Sequence, residues 1–456
     1  MPHFKREGFG SLQESETDTY TSATDLFARE LVEAAVIQRR NCIVRPNAIS
    51  NLGPLHVLIP PEGDYFIDPA SIRVHADFTI KKLNAELNKW ENLDAQDATK
   101  VAPVNGFTKC IFKDIETYIQ QKQITLVATT AYPIKAYIET LCSYGTDAAK
   151  THLRTSYWVP TSKNEADTEA IGQTNFLKRH KFIANSRTVC MEEPLHSELS
   201  TLNRYILPGL EISFIFTLSD VGYFLHVKAD NETTYMLDFD DFYLSFDRIL
   251  LNTHVYQSME RRLNAGTKAI YLLNRGTIRS KQVPANEHNA LWQNMYVGTL
   301  PEMVTICMMK TTAFNGSISE NFQNLQHFNI ESIVLRVNSN SMPGQPLRVK
   351  MKENLAIRAY ANLMENTGIK KSNNPIGITY EQFIDGSSLF AFDLTPDKCA
   401  SWHSHKKENG NIEVDIRFSQ ALAEGITILA LCHYSDRMYI TGPYNNRDVQ
   451  LNPNLS

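Results

Sequence analysis

The densest set of metal-ligating side chains in the 456-residue chain is His403-Ser404-His405-Lys406-Lys407-Glu408. Two imidazoles one residue apart with a carboxylate close behind are donors that suit a transition metal. Three features argue for a solvated loop instead. Only two residues separate His405 from Glu408, no strand alternation aims both imidazoles inward, and Lys406 and Lys407 repel a cation. Asp238, Asp240 and Asp241 offer paired carboxylates, but the spacing lacks the glycine and distal Glu of a calcium loop. They read as solvated acids on an aromatic, edge-forming strand, Leu237 to Phe242. Trp90, Trp158, Trp292 and Trp402 supply aromatic surface of the sort that grips sugars or bases. Their wide separation in the chain favours individual packing or interface anchors. No Gly-rich phosphate loop, Gly-x-Ser-x-Gly elbow or His-Glu-x-x-His motif occurs. No catalytic, cofactor-binding or metal residue is therefore assigned, no cofactor is expected, and the reading is non-enzymatic.

Composition bounds the remaining classes. Lys+Arg number 45 against 50 Asp+Glu, a net charge of −5, with 43% apolar and 21% charged residues. This is a core-forming chain, and disorder, collagen and coiled coil are excluded. The seven scattered cysteines form no Cys-x-x-Cys pair, which argues against a disulfide framework or structural zinc. The first twelve residues hold no apolar core of a secretory signal, and no apolar run approaches the ~18 residues of a membrane span. The expectation is synthesis in a reducing compartment, which makes the sequons at Asn231 and Asn315 chance matches.

The elements that must position any site are strands. Ile72, Val74, Ala76, Phe78 and Ile80 alternate with Arg73, His75, Asp77 and Thr79. Similar alternation covers Leu210–Leu218, Ile412–Phe418, Leu55–Ile59 and Ile333–Val337. Period two with one wet face belongs to antiparallel sheets, so the chain reads as mainly β. Long polar connections such as Leu83–Val104 and Thr161–Gln173 are candidate recognition loops. Asp25–Arg39 is a helix candidate, with Asp25 as its cap; the polar segment before it could fray or fold on a neighbouring subunit.

The chain also resembles itself. Ile134-Lys135-Ala136-Tyr137 opens a helical stretch ending at Gly145, and Ile357-Arg358-Ala359-Tyr360 opens another ending at Gly368. Ile-Glu strands precede each, at Ile115 and Ile330. A Glu-apolar-x-apolar-x-Phe strand follows each, at Glu211–Phe216 and Glu413–Phe418. Three matches in one order imply tandem duplication of a β domain, and large loop-rich antiparallel domains fit jelly rolls best. Residues 1–46 are expected as an N-terminal arm, 47–250 as the first roll, 251–267 as a polar linker, 268–449 as the second roll and 450–456 as a tail.

Against that background, Tyr132-Pro133-Ile134-Lys135-Ala136-Tyr137-Ile138-Glu139-Thr140-Leu141 followed by Ser143-Tyr144-Gly145 resembles a segment of the double jelly-roll major capsid proteins of Polinton/Maverick elements and adintoviruses. Ala313–Ser317, Asn321–Asn329, Leu389–Asp397, Glu62–Asp68 and Asn445–Val449 add further matches, so the resemblance spans nearly the whole chain. Asp25-Leu26-Phe27 departs from it, since the Pro-rich stretch usual after such a segment is missing. The resemblance implies a homotrimer of double jelly-rolls forming a pseudo-hexagonal, hexon-like capsomer. It also implies an icosahedral virion capsid around double-stranded DNA, with penton or minor capsid proteins as partners. The connections Gln121–Gln173 and Asn338–Leu389 are then expected as outer towers and intersubunit contacts. Near-neutral charge fits self-packing better than strong direct nucleic-acid binding, for which the first 45 residues carry too few Lys and Arg. A lectin-like binding module and a bicupin-type metal enzyme, in which His403, His405 and Glu408 would serve, are the alternatives.

Overall fold

The computed structural model describes residues 33–51, 53–126, 131–159, 174–228, 233–353, 356–367, 376–400 and 405–451. Their principal strands fall into two sets of eight. The first set is β1 (Val36–Val44), β2 (Leu55–Ile59), β3 (Phe66–Asn84), β4 (Phe112–Ile119), β5 (Lys122–Gln123), β6 (Val189–Pro194), β7 (Ile212–Leu218) and β8 (Tyr235–Leu251). The second is β9 (Ala269–Val283), β10 (Asn289–Thr299), β11 (Met303–Lys310), β12 (Ile330–Val337), β13 (Asn340–Arg348), β14 (Phe390–Asp393), β15 (Asn409–Phe418) and β16 (Ile426–Thr441). In the first set β1, β8, β3 and β6 form one sheet and β2, β7, β4 and β5 the other. In the second, β9, β16, β11 and β14 face β10, β15, β12 and β13. Adding eight to every strand number of the first half reproduces the second, and every pair is antiparallel.

The alternation drives this pairing. Ile72, Val74, Ala76, Phe78 and Ile80 of β3 are buried while Arg73, His75, Asp77 and Thr79 face outward. Phe242 of β8 packs edge-on against Phe216 of β7 with ring centroids 5.3 Å apart, closing the first core between its two sheets. Each such fully buried ring contributes on the order of 1.5–3 kcal/mol. In the second half Tyr296 of β10 meets Tyr434 of β16 at 5.7 Å. The architecture is a tandem double jelly-roll, mainly β, with short helices in its long connections. Helix α1 (Tyr132–Ser143) lies between β5 and β6, and α3 (Ile357–Asn366) lies in the matching slot between β13 and β14. The repeat motifs therefore mark equivalent elements: β4 and β12, α1 and α3, β7 and β15. Gly368 lies outside the described residues.

Four expectations need correction. Val36–Arg39 of the helix candidate are extended, because β1 pairs with β8 from Val36↔Leu251 to Val44↔Leu244; tertiary pairing overrides local helical spacing. Residues 36–44 thus join the first roll rather than an arm, and Asp25 lies outside the described residues. The linker 251–267 holds helix α2 (Thr253–Asn264), capped by the Asn252 side chain accepting from His254 N at 3.0 Å. Strand β8, which carries Asp238 to Asp241, is no edge: it sits between β1 and β3. Leu83–Val104 is not one long loop, since it contains strands Lys89–Asn92 and Val101–Pro103. Thr161–Gln173 lies outside the described residues. No helix among the described residues is long and apolar enough to cross a membrane.

Candidate functional site: the joint between the two rolls

Helix α1 has two working faces. Ile134, Ile138 and Leu141, spaced four and three apart, are buried, the stripe by which a helix packs on a core. Lys135 and Glu139, one turn apart, look toward the second roll. Glu139 Oε2 accepts from His196 Nε2 at 2.5 Å, and its Oε1 lies 3.0 Å from His433 Nε2 on β16. Lys135 Nζ donates to Glu198 Oε1 at 2.6 Å. The approach is close because β9 has glycine at its nearest point. A Cβ on Gly276 would stand 3.0 Å from both Glu139 Oε1 and Lys135 Cε.

Burial alone would neutralise these groups, and their partners reverse it. Desolvation pushes the Glu139 carboxyl up, yet Lys135 and the two imidazoles hold it well below the usual carboxylate range. Desolvation pulls Lys135 down, and Glu198 and Glu139 more than restore it, leaving it raised. A depressed carboxylate stabilises the fold fully above its unfolded pKa of about 4.3 and is lost as pH falls through the folded value. A raised lysine contributes fully below about 10.4 and is lost above its folded value. The charges on Glu139 and Lys135 therefore persist across the whole neutral range. Glu139→Gln is expected to lower the unfolding free energy by ~2 kcal/mol, read from urea unfolding at pH 7.

Two further patches fix the rolls. Arg447, following β16, donates from Nε to Pro208 O of the first roll at 2.9 Å and pairs with Glu260 of α2. Tyr271 of β9 donates to Tyr205 O at 2.9 Å. On the other patch Tyr223 donates to Phe314 O at 2.6 Å, Val227 N to Ile318 O at 2.8 Å, and Gln323 Nε2 to Asn105 O at 2.6 Å.

The residues singled out in the sequence do not converge. His405 Nε2 pairs with Asp397 at 2.8 Å, Glu408 is exposed, and His403 lies outside the described residues. Asp238 accepts from Lys81 at 2.5 Å and from Asn51 at 2.7 Å, and Asp241 from Arg45 at 2.9 Å. The Lys81 hydrogen bond holds Asp238 low, and the Arg45 hydrogen bond does the same for Asp241. These acids are committed to neighbouring bases. Trp158 stacks on Tyr137 of α1 at 5.9 Å, Trp90 lies on the short strand beside β3 and Trp292 on β10, and Trp402 lies outside the described residues. No shared aromatic platform forms among the three described. The joint residues His196, Glu198 and His433 went unread because only the folded topology brings them to α1; the i, i+4 pair Lys135/Glu139 inside the repeated motif was the available signal.

Two eight-stranded antiparallel sandwiches of one strand order, docked through a helix of the first, define the double jelly-roll class. No protein-family model matches the chain. An uncharacterized protein of Caenorhabditis elegans is 19% identical over 360 residues, 77% of this chain and 82% of its own length. Among solved structures, the chain is similar to one from the cryo-EM structure of the Sputnik virophage, with TM-score 0.63 and 9% identity over 96% of this chain and 93% of that one. It is similar to a chain of the PBCV-1 virus capsid, with TM-score 0.54 and 10% identity over 93% and 98%. It is also similar to the mavirus major capsid protein, with TM-score 0.52 and 11% identity over 98% and 97%.

Proposed function

We propose that this chain is a major capsid subunit. Three copies close into a pseudo-hexagonal capsomer, and capsomers tile an icosahedral shell around a double-stranded DNA genome. The rolls divide near residues 36–251 and 269–441, with α2 between them. One observation carries the reading: the Lys135/Glu139 face of α1 is engaged by His433 and Gly276 of the second roll, whereas Ile357 at the start of α3, counterpart of the buried Ile134, is 61% exposed. The first roll has used its helix on the second, and the second roll's equivalent helix is open. The matching acceptor is the outer face of the first roll, where Ile37 and Ile43 of β1 are 61% and 55% exposed. Arg358 is the counterpart of Lys135. A joint that repeats from roll to roll is heterologous and makes a ring where its rotation closes; a ring of six rolls is three chains. Capsid proteins among the structural neighbours support the same reading. The role is structural and non-enzymatic, its place the virion shell, and its further partners are penton or minor capsid proteins.

Light scattering on the purified protein is expected to give about three times 51.8 kDa. The double variant Ile357→Asp/Arg358→Glu is expected to be a monomer with unchanged circular dichroism. A wild-type monomer, or a variant that remains trimeric, would sink the reading.

A further inference from the structure

The outer face of the first roll also carries a donor set that the joint does not use. β3 and β6 pair in a register that sets His75 opposite Glu192 and Asp77 opposite Cys190. Residues two apart on a strand share a face, so these four side chains form one patch, while Val74, Ala76, Val189 and Met191 turn into the core. One donor atom each from His75, Asp77 and Cys190 lies within 4.8 Å of the other two. Glu192 Oε2 is 3.0 Å from His75 Nδ1, which leaves Nε2 turned to Asp77 at 3.7 Å. Tyr243 stacks on the imidazole at 4.2 Å and 17°, fixing its plane. Asp77 Oδ1 is buried with no hydrogen-bond partner among the described residues.

We propose that His75, Asp77 and Cys190 bind a divalent cation of borderline softness, zinc foremost, with a fourth position open to water. Mixed nitrogen, oxygen and sulfur donors suit zinc, whereas calcium and magnesium take oxygen shells. Glu192 plays the outer carboxylate that fixes the tautomer of a ligating histidine. On binding, the Cys190 thiol releases its proton to solvent and the thiolate takes the ion. The ion ties β6, the outermost strand of that sheet, to β3. This site lies within one chain and does not rest on the trimer.

The full-length protein, stripped with chelator, is titrated with Zn²⁺ against a zinc indicator and with Co²⁺ as the spectroscopic probe. Expected are one zinc per chain, a raised melting temperature, and a thiolate-to-cobalt charge-transfer band. Cys190→Ser, an exposed and isosteric change, is expected to abolish the band with unchanged circular dichroism. Glu192→Gln should keep the band and weaken zinc ~10–100-fold. Asp77→Asn, which keeps the side chain's shape, should weaken zinc and serves if a His75 variant misfolds. Failure to take up one equivalent, or a band that survives Cys190→Ser, overturns the site.

Discussion

Asp436→Ala is expected to destabilise the second roll by ~3–5 kcal/mol, the cost of leaving a buried charge without its partner. Asp436 is 0% exposed and accepts from Arg275 Nη1 at 2.9 Å and Lys407 Nζ at 3.0 Å. The Arg275 side chain is 3% exposed, so water cannot replace the lost carboxylate. Both residues sit on the paired strands β9 and β16, Arg275 on the edge strand and Asp436 on its inner neighbour. Replacing both partners, as Arg275→Met with Asp436→Leu, is expected to recover most of the loss, because the penalty belongs to the orphaned charge rather than to the absence of the pair. Guanidinium unfolding of the single and double variants measures it. A single variant within 1 kcal/mol of wild type would show the pair to be solvated.

Gly222→Ala is expected to break the second patch of the joint. A Cβ there would stand 2.0 Å from Gly316 O and 2.7 Å from Gly316 C. Both obstacles are backbone, so no rotamer change relieves the clash. Overpacking ordinarily costs ~1–3 kcal/mol, and this case belongs at or above the top of that range. The neighbouring hydrogen bonds from Tyr223 to Phe314 O and from Val227 N to Ile318 O depend on the same approach. Gly344→Ala, with nothing within 4 Å of its Cβ position, is the matched control and should be close to neutral. Limited proteolysis should cut Gly222→Ala between the rolls at a higher rate than either wild type or the control.

The sequence disclosed the fold further than the joint, for a physical reason. Alternation at Ile72–Ile80 or Ile412–Phe418 is written locally, since each strand must bury every second residue whatever its partner. The three repeated motifs were equally local and proved to be equivalent elements of two rolls. β1 is legible only in the fold, because Val36–Arg39 carries the tail of a helical spacing and is extended through its pairing with β8. Helix α2 was within reach: Asn252 as cap and Val255, Tyr256, Met259 and Leu263 at helical spacing lie inside what read as a polar linker. The salt-linked joint could not be read, because Glu139 and His433 are 294 positions apart. The His-x-His motif drew attention by spacing alone, while His75 and Cys190 share a patch through strand register, which no linear motif encodes.

The tethering of one roll to the next has a consequence for the kinetics of building the proposed shell. Within a chain the α1 joint forms at an effective concentration set by the short α2 connection, independent of how dilute the protein is. In the proposed ring, three of six joints thus exist before any two chains meet. Each bimolecular association costs ~4–15 kcal/mol in lost translation and rotation, and a ring of separate rolls would incur that cost five times rather than twice. Duplication therefore lowers the concentration at which rings nucleate. It also lets the two helices diverge, so that a strong Lys135/Glu139 joint sets the rigid unit while the proposed Ile357/Arg358 joint is left to govern when units come together.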